Sequence, residues 1–352
     1  MNILLTSGAR RIDFVQFFQE ALNTVGTEGK VIVADPDHNA PSLQVGDVNY
    51  VIPHQTDERY MDAIYEICKK ERVNCLVPLN DWEVPTISDH KTKLEALGIT
   101  VFAPDPEVVH NVRDKGMYHD LLGSFDVIAP HSYLTVKDAA YAIEIGEVEF
   151  PLIVKPRNGS ASIGIEIVYS VDAMEFAFNQ AVQTIQETPL SNATHKKPEE
   201  NVIIQEVVEG EKFSLDIFND LDGRFLASFS RKQLDMRGGD VDRCLTVHHP
   251  ELMDIGRKIG ENLGHIGYIN TDVFYDGKTY YVIDINPRFG GGYSFSHKAG
   301  ANVPAAIIAM ALGRELKDEW FTTNAETELA RYDEVISIDE TKEKYAFAQK
   351  EG

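Results

Sequence analysis

A chain of 352 residues with 43% hydrophobic content and a formal net charge of -23 is long enough for about two or three domains with a proper core. Its negative field opposes nucleic acid and anionic membrane surfaces at long range, so a phosphate site has to be a local basic island. No apolar run approaches the ~20 residues of a membrane span, and the opening MNILLTSGARR is too short and too soon charged for a secretory signal. A cytoplasmic protein without nucleic-acid or membrane partners is expected, and Cys68, Cys75 and Cys244, which lack metal-ligand spacing, are expected to stay reduced.

The first third alternates short apolar strands with amphipathic helices, the pattern of a parallel sheet covered on both faces. Strands are predicted at 2–6, 30–34, 48–52, 74–79 and 99–103. A first helix presents Ile12, Val15, Phe18 and Leu22 on its apolar face, and further helices are predicted from Asp57 to Glu71 and from Trp82 to Leu97. The turn SGARR lacks a G-x-G-x-x-G fingerprint, which speaks against a dinucleotide cofactor. Ser7, Gly8, Arg10 and Arg11 after the first strand, and Asn80, Asp81 and Glu83 after a later one, sit where open α/β sheets bind ligands. They read either as a substrate-side cluster or as ordinary turn and capping residues.

Beyond Pro104-Asp105-Pro106 the chain changes character, and PEVVHNVRDKGMYHDLLG predicts one helix that starts at the proline-rich turn, carries Lys115 and stops at Gly123. In FPLIVKPRNGSASIGIEIVYS an apolar strand delivers Lys155. A loop with Asn158, Gly159, Ser160, Ala161, Ser162 and Gly164 follows, then a second strand. Such small residues let backbone N–H groups approach an anionic phosphate and let the loop close as a flap. No Walker motif occurs. Residues 186 to 200 read as an exposed excursion, and NVIIQEVVEGEKFSLDIFND as two strands around Glu209-Gly210. Arg231, Lys232, Arg237 and Arg243 then gather in one short stretch and are expected to form the basic island; solvated surface charge is the alternative. Leu252, Ile255, Ile259 and Leu263 mark a core helix.

In GYINTDVFYDGKTYYVIDINPRFGGG, alternation places Tyr280, Val282, Asp284 and Asn286 on one strand face and Tyr281, Ile283 and Ile285 on the other. Asp284 and Asn286 thus point the same way, about 6.5 Å apart, and suit Mg²⁺ with its taste for a few oxygen ligands. Arg288 follows, and Gly290 to Gly292 open a loop. Cation site, guanidinium and loose loop together suggest phosphoryl chemistry. Further on, Ser296-His297-Lys298 precedes an apolar helix, and Arg331 to Ile338 is a candidate last strand.

A strand ending in Asp-x-Asn-Pro-Arg, with another acid a dozen residues earlier, resembles the metal-binding strand pair of the ATP-grasp superfamily, most of all the carbamoyl phosphate synthase large-subunit type. That resemblance implies an α/β N-terminal parallel-sheet (Rossmann-like, pre-ATP-grasp) domain followed by an α+β ATP-grasp fold of two lobes. The boundaries expected are 1–104 for the first domain, 105–150 for a linking segment, 151–210 for the small lobe with its flap, 211–330 for the large lobe with the metal site, and 331–352 for a terminal strand and tail. It also nominates Asp272 as the partner carboxylate. If Asp276-Gly277 were a two-residue turn, Asp272 would oppose Tyr281 and face away from Asp284, so the metal reading needs a three-residue loop or a bulge.

The resemblance further implies ATP bound by Lys115, Lys155 and the flap residues Gly159, Ser160 and Ser162, with Gln205, Glu206 and Val208 along the adenine and Glu211 or Glu209 at the ribose. The family's usual acidic ribose position is Lys212 here. Asp272, Asp284 and Asn286 are implied ligands of Mg²⁺, with Mn²⁺ as a substitute, and Arg288, Arg237 and Arg231 are implied catalytic residues. The implied activity is an ADP-forming ligation of a small-molecule carboxylate to an amine or ammonia through an acyl-phosphate. The alternatives are one subunit of a carbamoyl-phosphate-synthase-like assembly, and a hydroxyl kinase; a homodimer or a partner subunit is compatible with each.

Overall fold

The computed structural model describes residues 1–158, 164–187, 197–339 and 345–346. The chain divides into two compact units. One comprises Met1–Val109, Asp216–Asn270 and Pro287–Gly352, the other His110–Leu215 and Thr271–Asn286.

The first unit opens with strands β1 (Asn2–Thr6), β2 (Lys30–Asp35), β3 (Val48–Val51), β4 (Cys75–Pro78) and β5 (Thr100–Val101). They pair in parallel in the order β3-β2-β1-β4-β5, as alternating strands and helices require. Helix α1 (Ile12–Val25) buries Phe14, Val15, Phe17, Phe18, Ala21 and Leu22 and ends at Gly26, whose φ of 68° few other residues adopt at low cost. Helix α2 (Tyr60–Lys70) begins three residues later than expected. The helix expected over 82–97 is two, α3 (Val84–Asp89) and α4 (Lys91–Glu95), divided at His90.

The helix expected over 106–123 is likewise interrupted. Helix α5 (Pro106–Arg113) stops, Asp114 turns extended at φ -93° and ψ 92°, a 3-10 turn covers Lys115–Met117, and α6 (Tyr118–Gly123) resumes. The cause is local competition for hydrogen bonds. Asp114 Oδ1 accepts from the Gly116 N–H at 3.0 Å, the side-chain capping that favours leaving a helix.

Four strands belong wholly to the second unit's own sheet: β6 (Ser132–Tyr133), β7 (Leu152–Pro156), β8 (Glu166–Val168) and β9 (Val202–Glu206), in the order β6-β9-β7-β8. All pairs are antiparallel. Helices α7 (Val136–Glu144) and α8 (Val171–Gln186) each start at a hydroxyl N-cap, Thr135 and Ser170. The remaining sheet runs β14-β13-β10-β11-β12-β15, from strands β10 (Glu211–Asn219), β11 (Phe225–Arg237), β12 (Asp240–Val247), β13 (Gly267–Tyr275), β14 (Tyr280–Asn286) and β15 (Glu328–Ala330). Helix α9 (Pro250–Leu263) buries Leu252, Ile259 and Leu263 of its expected face while Ile255 is only partly buried, and α10 (Tyr293–Lys298) precedes the apolar α11 (Val303–Ala311). The last strand expected at 331–338 is instead β15, which ends at Ala330, and β16 (Tyr345–Ala346) adds to the first sheet beside β3.

A parallel α/β sheet followed by antiparallel sheets with flanking helices matches the expected architecture. No helix among the described residues is long and apolar enough to cross a membrane.

Candidate nucleotide and metal site

The second unit gathers most of the expected residues. At the interruption after α5, Lys115 is directed to Asp284, with Nζ 2.8 Å from Oδ1. Three contacts hold that interruption. Asp114 pairs with Arg157 at 2.5 and 2.7 Å, the Lys115 N–H donates to Arg157 O at 3.2 Å, and buried Tyr118 bridges to β14. The Tyr118 hydroxyl donates to Val112 O and accepts from the Ile285 N–H at 2.8 Å, between Asp284 and Asn286. Sequence reasoning missed Arg157 and Tyr118, although Arg157 stands two residues after Lys155, at the end of the same strand.

Lys155, on β7, donates from Nζ to Gln205 Oε1 at 2.7 Å. Burial first, and then the neighbouring Lys115, push its pKa down to about 8, while Asp284 works the other way. Two lysines therefore share the surroundings of one carboxylate. Gln205, beyond its expected place along an adenine, fixes a lysine, and its Nε2 donates to Ser132 Oγ at 2.8 Å. The Glu206 N–H is taken by His131 O at 2.9 Å. Val208 lies past the strand, partly exposed, before Gly210. Glu211 opens β10 exposed, and Lys212 pairs with Asp272 at 3.4 Å. Gly159, Ser160 and Ser162 fall outside the described residues.

The connection between β13 and β14 is neither the two-residue turn nor the three-residue loop considered above. Residues 276–279 form the connection, with the Asp276 N–H donating to Thr279 O and the Tyr275 and Tyr280 rings stacked at 4.4 Å. The strict alternation expected for β14 also fails. Tyr280, Val282 and Ile285 are buried, whereas Tyr281, Ile283, Asp284 and Asn286 are partly exposed. The alternation of burial breaks between Ile283 and Asp284, and both Asp284 and Asn286 keep partly exposed side chains.

Asp272 and Asp284 are each about a quarter exposed, at 25% and 27%, and each faces a lysine. No group of three or more His, Cys, Asp or Glu that could hold a metal occurs among the described residues. Two carboxylates and an amide suit a hard cation that takes its remaining oxygens from water and phosphate, so the donor set fits Mg²⁺.

The arginines belong to the first unit, and those expected in the basic island, like Arg288, have carboxylate partners. Arg231 is 1% exposed and donates to Asp216 and to Ser296 Oγ. Asp216 also accepts from Asn270 at 2.7 Å. Burial opposes the charge of Arg231, but Asp216 more than offsets it and raises the pKa. Arg237 is exposed near the β11–β12 turn and paired with Asp242 and Asp333, and Arg243 is paired with Asp235 and Glu328. The physical reason is composition: a chain this acidic offers each arginine a nearby carboxylate. Arg288 pairs with Asp81 at 2.5 Å and donates to Phe289 O at 3.0 Å. His297 is structural in its contacts, stacked on Phe17 at 3.8 Å, and burial lowers its pKa to about 4.

Three family descriptions match parts of the chain: "PylC-like, N-terminal domain" over residues 3–102, "D-ala D-ala ligase C-terminus" over 122–231, and "ATP-grasp in the biosynthetic pathway with Ter operon" over 198–335. The carbamoyl phosphate synthase large chain of Myxococcus xanthus is 23% identical over 319 residues, which is 87% of this chain but 28% of that protein. The C-terminal section of the same enzyme chain from Methanopyrus kandleri is 24% identical over 313 residues, covering 85% of this chain and 54% of the relative. The chain thus spans less than a third of the first relative and about half of the second. Among solved structures, a biotin carboxylase complex with β-γ-ATP from Campylobacter jejuni superimposes with a TM-score of 0.74 at 16% identity, covering 94% of this chain and 75% of that one. N5-carboxyaminoimidazole synthetase from Staphylococcus aureus gives 0.65 at 16% identity, covering 90% and 78%. These likenesses show an ATP-grasp fold, and in sequence the chain is similar to ATP-grasp families over parts of its length and to the carbamoyl phosphate synthase large chains.

Proposed function

We propose that the chain is an ATP- and Mg²⁺-dependent ligase that activates a small carboxylate as an acyl-phosphate and transfers the acyl group to an amine or ammonia, in the cytoplasm and without nucleic-acid or membrane partners. The observation that carries this reading is the convergence of Lys115 and Lys155 on the strand end that bears Asp284 and Asn286. Two cations and a hard-oxygen donor set in one place suit the triphosphate of ATP and its cation.

Asp284, Asn286 and Asp272 would hold Mg²⁺, which neutralises charge on the transferring phosphoryl group. Lys155, already held by Gln205, and Lys115, turned from Asp284 to a phosphate oxygen, clamp the polyphosphate. The substrate carboxylate oxygen attacks the γ-phosphorus and ADP leaves. Arg288 steadies the charge on the acyl-phosphate, where a fixed donor typically contributes about 3 to 4 kcal/mol. An amine nitrogen then attacks the acyl carbon, phosphate leaves, and the amine gives up a proton to solvent. Arg231, buried against Asp216, acts through the position of its neighbours, and Arg237 through its exposed pairing with Asp242 and Asp333.

The test is a screen of carboxylic acids for ADP release from ATP, repeated with added amines. Acid-dependent ADP release that rises with an amine is the expected result. Phosphate left on a hydroxyl would make the protein a kinase, and ADP release only with a second polypeptide would make it one subunit of an assembly.

A further inference from the structure

In the first unit, the turn between β1 and α1 is strained. Ser7 and Ala9 have φ of 52° and 46°, which non-glycine residues keep only where their surroundings impose it. Here they do. The Ser7 N–H donates to Ala34 O at 2.8 Å and the Ala9 N–H to Asp35 Oδ2 at 2.7 Å. Ser7 Oγ donates to Glu83 Oε2 at 2.7 Å. Glu83, fully buried, also accepts from Tyr60 at 2.6 Å and from the N–H groups of Leu79 and Asn80 at 2.8 and 3.1 Å. One carboxylate thus ties the turn after β1 to the turn after β4.

That tie fixes Arg11, the last residue before α1. Its Nη1 donates to Phe289 O at 3.2 Å, and Arg288 Nη1 donates to the same oxygen at 3.0 Å while its Nη2 meets Asp81 Oδ2. Two guanidiniums therefore converge on one carbonyl oxygen beside a carboxylate. Placing like charges together is costly unless oxygen acceptors hold them, and paired planar forks match the geometry of a carboxylate.

We propose that Arg11 joins Arg288 in a two-guanidinium clamp for the carboxylate of the acceptor acid, with Arg11 as the residue that sets affinity for it. That the bound acid is a substrate rests on the ligase reading; that the site takes a carboxylate rests on the converging guanidiniums. A small organic acid gains charge-assisted hydrogen bonds from both forks, and a neutral amide of the same shape does not. Glu83 and Asp35 are positioning residues for the turn.

The probe is acetate. Tryptophan fluorescence of the full chain, in which Trp82 adjoins Asp81, is titrated with sodium acetate against sodium chloride at equal ionic strength. A saturable acetate-specific change is expected, weakened about tenfold or more in Arg11→Ala, as for a lost hydrogen bond between charged groups. Mg·ATP affinity by calorimetry should stay within about twofold. Chloride giving the same change as acetate, or Arg11→Ala binding acetate as well as the wild type, overturns the clamp. Should Arg11→Ala fail to fold, Arg11→Lys serves: it keeps the charge, loses the fork, and should weaken acetate several-fold. Acetate binding that depends on Arg11 without acid-dependent ADP release would leave the clamp standing and sink the ligase reading. Acid-dependent ADP release with an unchanged KM for the acid in Arg11→Ala would do the reverse.

Discussion

Asp284 and Arg288 stand four residues apart but are assigned to different moments of the reaction. Asp284→Asn keeps size and removes charge, so turnover should vanish and the Mg²⁺ requirement should rise. Arg288→Lys keeps one charge and loses the fork. It should leave Mg·ATP affinity nearly intact and lower kcat about a hundredfold, the mark of a contact made mainly in the transition state. Steady-state kinetics at saturating ATP separates the two; loss of ATP affinity with unchanged kcat in Arg288→Lys would make Arg288 a ground-state nucleotide ligand. Lys155 yields a pH prediction. With its pKa brought down to about 8 by burial and Lys115, it carries its charge below that pH and loses it above, so Mg·ATP should bind more weakly at pH 9 than at pH 7. Lys155→Ala should weaken binding about tenfold at pH 7 and flatten that dependence, both read by calorimetry. The types and spacing of Lys155, Asp284 and Asn286 were legible in the sequence because strand alternation and the Asn-Pro-Arg ending are local. Of the partners of Arg231, Arg237 and Arg243, Asp242 and Asp235 lie in the same hairpin, but Asp216, Asp333 and Glu328 stand on other segments that folding brings close.

At the scale of elements, the parallel strands were readable from apolar runs, but the helix over 106–123 was not read as broken. Its apolar spacing continues through Asp114; the break depends on Arg157, 43 residues away. Asp114→Ala removes a side-chain cap, worth about 1 kcal/mol, and strands a guanidinium only 13% exposed. A loss of at least about 2 kcal/mol in urea unfolding is expected, together with weaker Mg·ATP binding as Lys115 loses its direction. An unchanged ATP affinity in the folded variant would show that the interruption does not position Lys115. The uneven burial of β14 was equally hidden, because a break in alternation leaves no mark on composition. Gly210 is a third such element: at φ 150° an added Cβ would lie 2.0 Å from Tyr275 O. Gly210→Ala should lower the urea midpoint by the equivalent of about 2 to 3 kcal/mol; a midpoint equal to that of the wild type would contradict the close approach.

For the whole molecule, stability should fall in mild acid. Burial pushes the pKa of His265 down to about 3, so the folded chain resists a proton that the unfolded chain accepts near 6.5. This contribution is complete above pH 6.5 and is lost as pH falls from there toward 3, at about 1.4 kcal/mol per unit. Urea unfolding at pH 7 and pH 5, compared with His265→Gln, checks it: the variant should show a shallower decline. The overall acidity has a second consequence, since the charge proposed to bind phosphate is confined to a few lysines and arginines held among carboxylates, and neither length nor composition announces them. The account stands most directly on whether ATP phosphorylates a carboxylate here. Hydroxylamine added with ATP, Mg²⁺ and an active acid should trap a hydroxamate in step with ADP; ADP formed without hydroxamate, or AMP in place of ADP, would contradict an acyl-phosphate.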